Sequence, residues 1–345
     1  MECSRPARPD AENINDKRCK MYFIVVGLLV VAAFLVSLRV GRYPISIGEI
    51  ASLLTGGEVG STTRAVFLTL RLPRTMTALL AGAGLGLSGS VFQQIFRNPL
   101  AAPDIVGVTS GANLGAAFAV IMFGHSATLM AGTAFVGAMA SMLLVVAIAK
   151  LAKGGSTVAF ILAGIIMRAI ADALIMMLKY YADPEKELAA IEYWAMGSLS
   201  GITASKLLAV VPFFLLGLFG IILLRRQIAL LGLEDDESRT LGVSVRYVRV
   251  AVLGFSALTV ASIICITGPI AFTGLIAPHV ARLALKRISF LWCILSAMTG
   301  AFILLVSDCL ARGISSAEIP VSIPTTLIGV PILLYFMWMR KTVKI

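Results

Sequence analysis

Charge is what this sequence has least of. Only 14% of its 345 residues are Asp, Glu, Lys or Arg, against roughly a quarter in an ordinary soluble domain. Hydrophobic residues make up 59% of the chain and its mean hydropathy is +0.95. A soluble fold of this length has too little interior to hide that much apolar surface, so a water-soluble globule is excluded. Histidine is nearly missing. His125 and His279 are the only two, too few for a histidine-built metal site. The five cysteines, Cys3, Cys19, Cys265, Cys293 and Cys309, form no CxxC pair or metal-ligand spacing. Three of them lie in apolar stretches, where cysteine acts as a small buried hydrophobe, so neither metal nor disulfide chemistry is indicated. There is no GxxxxGK[ST] phosphate loop, HExxH, GxSxG or clustered carboxylate pair, hence no ATP site and no catalytic set of the chain's own. Acidic residues are scarce even among the charges, 18 against 29 basic, for a net charge of +11. The basic residues form no run interleaved with aromatics, which argues against nucleic acid as a partner.

What the chain does have is long apolar runs. A helix needs about 20 apolar residues to cross the hydrocarbon core, so ten helices would use about 200 residues, close to the observed apolar share. Ten candidate stretches are found at 21–38, 75–96, 105–123, 127–149, 157–181, 207–224, 247–267, 270–285 (the shortest), 290–311 and 321–339. The expected fold class is all-α, a polytopic membrane protein with short loops in contact with lipid. Residues 1–20 are polar and of mixed charge, and read as a flexible cytoplasmic tail. The run from Met21 to Leu38 is expected to be an uncleaved first span, because no small-residue cleavage pattern follows it.

An even number of spans puts both termini on one side. Counting Lys and Arg with the N-terminus inside gives 18 in inner segments and nine in outer ones, with Arg168 and Arg282 inside apolar stretches. The two-to-one bias favours both termini in the cytoplasm. In the second span Gly82, Gly86 and Ser90 recur every four residues. Such ridges let helix backbones approach closely, and packing is the expected role.

Four polar features stand out. Thr69-Leu70-Arg71-Leu72-Pro73-Arg74 lies just outside the second span, where two arginines either anchor a helix end at the interface or present fixed charge to a partner. Arg97 to Asp104 is a proline-punctuated cytoplasmic turn whose Asp104 is placed to cap the next helix. The segment 227–243 carries Glu234-Asp235-Asp236-Glu237 followed by Arg239, Leu241 and Gly242. Its apolar positions imply short helices on the membrane surface, in a loop that is either simply solvated or a docking surface for a cytoplasmic protein. Arg168 and Asp172, four apart in the fifth span, share one helix face. Each charge at mid-bilayer costs roughly 2.5–3.5 kcal/mol on insertion scales, so the pair is either a structural ion pair or a polar patch on a solute path. Asp308 and Arg312 repeat the spacing at the outer end of the ninth span, within reach of water, and need no special role.

With these segments in view the sequence resembles the FecCD family, the permease subunits of ABC importers for ferric siderophores, haem and cobalamin. The matching residues run in order. They are Arg71-Leu72-Pro73-Arg74, Gly89 to Gln93 leading into Arg97-Asn98-Pro99-Leu100-Ala101, Gly107 to Gly111, and Leu162-Ala163-Gly164. Then come Trp194 to Leu199, Gly268-Pro269-Ile270 through Gly274 to His279, Glu318-Ile319-Pro320-Val321, and Gly329-Val330-Pro331. The resemblance implies a permease domain over 21–345 with ten spans, paired with a second permease subunit as a homodimer or heterodimer. It also implies two ATP-binding subunits, which hold ATP and Mg²⁺, and an extracytoplasmic substrate-binding protein. No cofactor is implied on this chain. Arg71, Arg74 and Arg312 match arginines that face glutamates of the binding protein. The loop around 227–243, with Glu234, Asp235, Asp236, Glu237, Arg239, Leu241 and Gly242, matches the coupling helices that sit in a groove of the ATPase. Glu234 and Ser238 depart from the usual Gly and Ala. Small or neutral residues are usual at Arg168 and Asp172, which marks these two as translocation-path candidates. The implied function is ATP-driven import of a metal chelate across a prokaryotic cytoplasmic membrane, a ferric siderophore first and haem or cobalamin next. An ion-coupled secondary transporter is the rival class, disfavoured because Asp172 is the only acid deep within a span and no inverted repeat is visible.

Overall fold

The computed structural model describes residues 9–124, 126–152, 157–285, 289–314 and 318–342. His125 and residues 1–8 of the expected tail therefore lie outside the described residues. Among the described residues there are helices and connecting turns but no strand. The helices are α1 (Pro9–Arg39), α2 (Ile47–Thr55), α3 (Ser61–Val66), α4 (Leu72–Ile95), α5 (Val108–Phe123), α6 (Ala127–Leu151), α7 (Thr157–Tyr181) and α8 (Glu187–Ala195). They continue with α9 (Ala204–Leu223), α10 (Arg225–Leu231), α11 (Asp235–Thr240), α12 (Val245–Thr267), α13 (Thr273–Ala284), α14 (Phe290–Gly313) and α15 (Ser322–Thr342).

Small residues place α4 at the centre. From Gly84 to Ile95 every residue is buried. A Cβ on Gly82 would overlap the carbonyl oxygen of Gly300, and one on Gly86 that of Ser296. The glycine ridge therefore meets the α14 backbone directly, as expected from its spacing, since helices in lipid associate by close packing rather than by a hydrophobic drive. Gly89 meets Gly274 of α13 in the same way.

Each of the ten apolar stretches carries a helix. Among the described residues, seven are long and apolar enough to cross a membrane: Cys19–Arg39, Ser61–Ile95, Ala127–Leu151, Thr157–Tyr181, Ala204–Leu223, Val245–Thr267 and Phe290–Gly313. The departures are local and have causes. The first helix begins at Pro9, so residues 9–20 continue the first span's helix instead of forming a coil. The second is extended upstream, because a π-helical turn at Phe67–Arg71 joins α3 to α4 without a break. The Thr69–Arg74 motif thus lies within a long helix rather than ahead of it. The third and eighth stretches start late. α5 is preceded by a 3-10 turn at Pro103–Val106 and by Gly107 at φ 71°. α13 has 12 residues, roughly 18 Å, and follows the non-helical Gly268–Phe272, where Gly268 and Phe272 both have positive φ. Non-helical backbone at membrane depth survives only where protein buries it or where it lines a cavity.

Two helices outside the apolar runs, α2 and α8, did not show in hydropathy. α2 was nonetheless encoded. Ser46 and Glu49 form a capping box, the Ser46 amide donating to Glu49 Oε2 at 2.8 Å and the Glu49 amide to Ser46 Oγ at 3.2 Å. The amide and hydroxyl of Ser46 hold the Glu49 carboxyl below its usual pKa.

Candidate functional site

At one end of the bundle the three expected docking arginines come together, and their guanidinium groups turn inward. Arg71 is 6% exposed. It donates from Nη1 to the carbonyl oxygens of Leu38 (3.1 Å) and Arg39 (2.8 Å), and from Nη2 to that of Tyr43 (2.9 Å). The carbonyls ending a helix have no partner within it and carry the negative end of its dipole, so a buried arginine there caps α1. Arg74 donates from Nε to Asp308 Oδ1 at 2.9 Å and from Nη1 to Glu318 Oε2 at 2.7 Å. Arg312, 7% exposed, lies 2.7 Å from Asp308 Oδ2 through Nη2, which also donates to Ser37 Oγ at 2.7 Å. Its Nη1 donates to the Val40 carbonyl at 2.8 Å.

Asp308 is therefore the shared anion of two arginines from different helices, and it is 0% exposed. The expectation that Asp308–Arg312 is a solvated pair without special role is corrected. Packing of α1, α4 and α14 closes water out of it. Glu318 was visible only as part of a motif, and its pairing with Arg74 was not foreseen. Partial burial raises the Glu318 pKa, but the Arg74 hydrogen bond and the charges of Arg74, Arg42 and Arg312 outweigh this and hold the carboxyl below its usual range. The opening left between these groups is a cavity of about 280 Å³, lined by Arg42, Arg71, Arg74, Arg312 and Glu318 among others. Four cations and one half-buried acid give its mouth a net positive charge.

At the opposite end, α10 and α11 fill the segment expected to form short helices. Ser238 is buried and donates from Oγ to the Leu230 carbonyl at 2.7 Å, folding α11 back on α10. Asp235 does not project outward with its neighbours. Its Oδ1 accepts from Arg97 Nη2 at 2.6 Å and from Arg249 Nη2 at 2.9 Å, and its Oδ2 lies 3.1 Å from the latter. Arg97 ends α4 with φ 48°, and Arg249 of α12 is 1% exposed. Asp235 thus ties three elements together, a role that no local pattern signals. Glu234, Asp236, Glu237, Arg239, Leu241 and Gly242 stay exposed. Asp236 and Arg239 form only a loose pair at 3.4 Å.

The fifth-span pair is real but open. Arg168 Nε lies 3.6 Å from Asp172 Oδ2, with the side chains 66% and 52% exposed. Only one face of α7 (Ala159, Phe160, Ala163, Gly164, Met167 and Ala171) is buried, so both charges lie on a side this chain leaves uncovered. Asp104 does not sit at the start of α5 as a simple cap. Its carboxylate accepts from Thr109 Oγ1 and borders two cavities of about 430 and 230 Å³. Among the described residues no group of three or more His, Cys, Asp or Glu is placed to hold a metal ion.

A bundle with seven helices long and apolar enough to cross a membrane, bearing a net-positive basin at one end and a two-helix charged loop at the other, defines a multi-pass membrane protein. The chain belongs to the FecCD transport family, whose model matches residues 28–339. The molybdate import system permease protein MolB of Haemophilus influenzae is 38% identical over 323 residues, which span 92% of this chain and 95% of that one. The ferric enterobactin transport system permease protein FepG of Escherichia coli is 36% identical over 314 residues, 89% and 93% of the two chains. A solved structure of a metal-chelate type ABC transporter in an inward-facing conformation matches with a TM-score of 0.81 and 34% identity. It covers 93% of this chain and 99% of its own.

Proposed function

We propose that this chain is the translocation subunit of a binding-protein-dependent ABC importer for a metal chelate, a ferric siderophore in the first instance and haem or cobalamin next. The observation that carries this reading is the match over nearly the full length to a metal-chelate type ABC transporter, within a family match over residues 28–339. On this reading ten spans cross the cytoplasmic membrane with both termini inside, and two permease subunits enclose the path. Arg71, Arg74 and Arg312 serve the binding protein through the net-positive basin that they line. Glu234, Asp236, Glu237, Arg239, Leu241 and Gly242 meet the ATPase directly, while Asp235 holds their helix in place. ATP and Mg²⁺ belong to the two ATPase subunits, whose closure moves this loop and switches access to the path. Arg168 and Asp172 face the path.

One observation favours a second cargo, molybdate, since a molybdate permease subunit is 38% identical across 92% of this chain. Vesicles reconstituted with the cognate ATPase and binding protein decide between them. ATP-dependent uptake of a ferric chelate, unaffected by excess molybdate, is expected. Uptake of molybdate in its place gives the second reading, and ATP-independent uptake by this chain alone sinks both in favour of a secondary transporter.

A further inference from the structure

A carboxylate inside a membrane bundle is costly and marks a functional site by default. Asp104, expected in a cytoplasmic turn, is held by the structure against α7, a candidate span. Its 3-10 turn, Pro103–Val106, packs on α7 so closely that a Cβ on Gly164 would overlap the Ile105 carbonyl oxygen. Gly164 is seven residues into α7, so the turn lies roughly 10 Å along the helix axis from its start. Arg168, one turn further along α7, lies on the side that this chain leaves uncovered and pairs with Asp172.

The surroundings of Asp104 are those of a path wall rather than of a packed interior. The carboxylate is exposed, and two cavities share it together with Thr109, Ile270 and Ala271. Among the described residues it is the only charged side chain lining either of them. Hydroxyls of Thr109, Ser322 and Thr326 border the larger cavity, and the remaining lining is apolar apart from backbone. The wall is built where the helices are interrupted, between the start of α5, the non-helical Pro269–Phe272 and the start of α15, so backbone carbonyls and amides also reach it. Thr109 donates its hydroxyl hydrogen to Oδ1 of Asp104, and the cavities open on its other side. One fixed negative charge among hydroxyls attracts cations and hydrogen-bond donors and repels bare anions, and low-dielectric walls strengthen both effects.

We propose that Asp104, with the hydroxyls of Thr109, Ser322 and Thr326, is a specificity-determining contact in the translocation path that favours neutral or donor-bearing chelates over free oxyanions. The inference deepens the transport reading above and rests on it.

The test uses the complete transporter in vesicles, with the native cysteines replaced by alanine and Thr326→Cys as reporter, a change that leaves the Asp104–Thr109 hydrogen bond intact. Modification rates are measured with a cationic and an anionic methanethiosulfonate of similar size. The cationic reagent is expected to react faster, and adding Asp104→Asn should cut that preference several-fold, the effect of removing one charge from a wet cavity. An unchanged ratio overturns the proposal. So does a failure of both reagents to reach Thr326→Cys and a second reporter, Thr109→Cys, because the groove is then not a water-filled path. ATP-driven chelate uptake by the same vesicles before labelling shows that the protein is folded. Its absence with both permease and partners intact overturns the transport reading itself, which separates that failure from a failure of Asp104.

Discussion

Two carboxylates at opposite ends of this molecule do the same thing in different settings. Asp308 and Asp235 each bridge two arginines that come from separate elements. Asp308 is sealed at 0% exposure, with Arg312 at 4% and Arg74 at 12%. Asp235 keeps 31% of its side chain exposed, and one of its arginines, Arg97, keeps 35%. Sealing raises the cost of parting the charges, because each would be left without water. The Asp308 cluster is therefore a fixed joint that holds α1, α4 and α14 in one body. The Asp235 cluster is a joint that water can help to open.

The largest expected effect comes from breaking the sealed joint. Asp308→Ala strands two buried guanidinium groups and should cost about 3–5 kcal/mol, read as a large fall in the unfolding midpoint in detergent. Asp308→Asn keeps the volume and one acceptor and should cost less. Equal losses for the two variants would mean that packing, not charge, holds the cluster. Next comes Asp235→Ala. Arg249 loses a charge-assisted contact, worth about 1.5–3 kcal/mol, while Arg97 regains water. The sharper readout is coupling: uptake per ATP hydrolysed should fall several-fold while the complex still assembles. Unaltered coupling would reduce Asp235 to a staple and remove the contrast with Asp308.

Much of this architecture was legible in the sequence, because apolar run length and small-residue spacing act locally. All ten stretches carry helices, and the Gly82–Gly86 ridge packs as its four-residue period requires. The interruptions were harder to read. Gly107, Gly268 and Pro269 were visible as residues, yet whether a helix breaks or bends there depends on which neighbour covers the freed backbone groups. The candidate sites split in the same way. That Arg71, Arg74 and Arg312 belong to one group followed from the family resemblance, not from any local pattern. Their inward orientation did not, because Arg74 meets Asp308 across 234 positions, and no local period reports so distant a partner. Asp235 is the parallel case, with Arg97 138 positions away.

A smaller effect distinguishes the half-buried member of the Arg74 cluster from the sealed one. Glu318 has its pKa lowered in the folded protein, so its contribution is complete above the unfolded value near 4.5 and fades as pH falls through the lower folded value. Wild-type stability should therefore decline on acidification below about pH 4.5, with Glu318→Gln less stable at neutral pH and lacking that part of the decline. A parallel acid decline in both proteins would assign it to other carboxylates.

The smallest effect on stability is expected at Arg239, and it bears most directly on what the inner end is for. Its pair with Asp236 is long, 3.4 Å, and Asp236 is 92% exposed. Exposed pairs of this kind contribute little, so Arg239→Glu should leave the unfolding midpoint where it was. A surface that serves only as solvated loop would show no further change. If α11 presents this face to the ATPase, reversing one rim charge should weaken association by roughly three- to tenfold, with a steeper effect at low salt. The same reversal should leave the internal clasp of Asp235 intact, because Arg97 and Arg249 do not depend on Arg239. Titrating purified ATPase onto permease in detergent at two salt concentrations measures this directly. Loss of binding without loss of stability would show that α11 separates its duties by residue, Asp235 turned inward to hold the helix and Arg239 turned outward to be read.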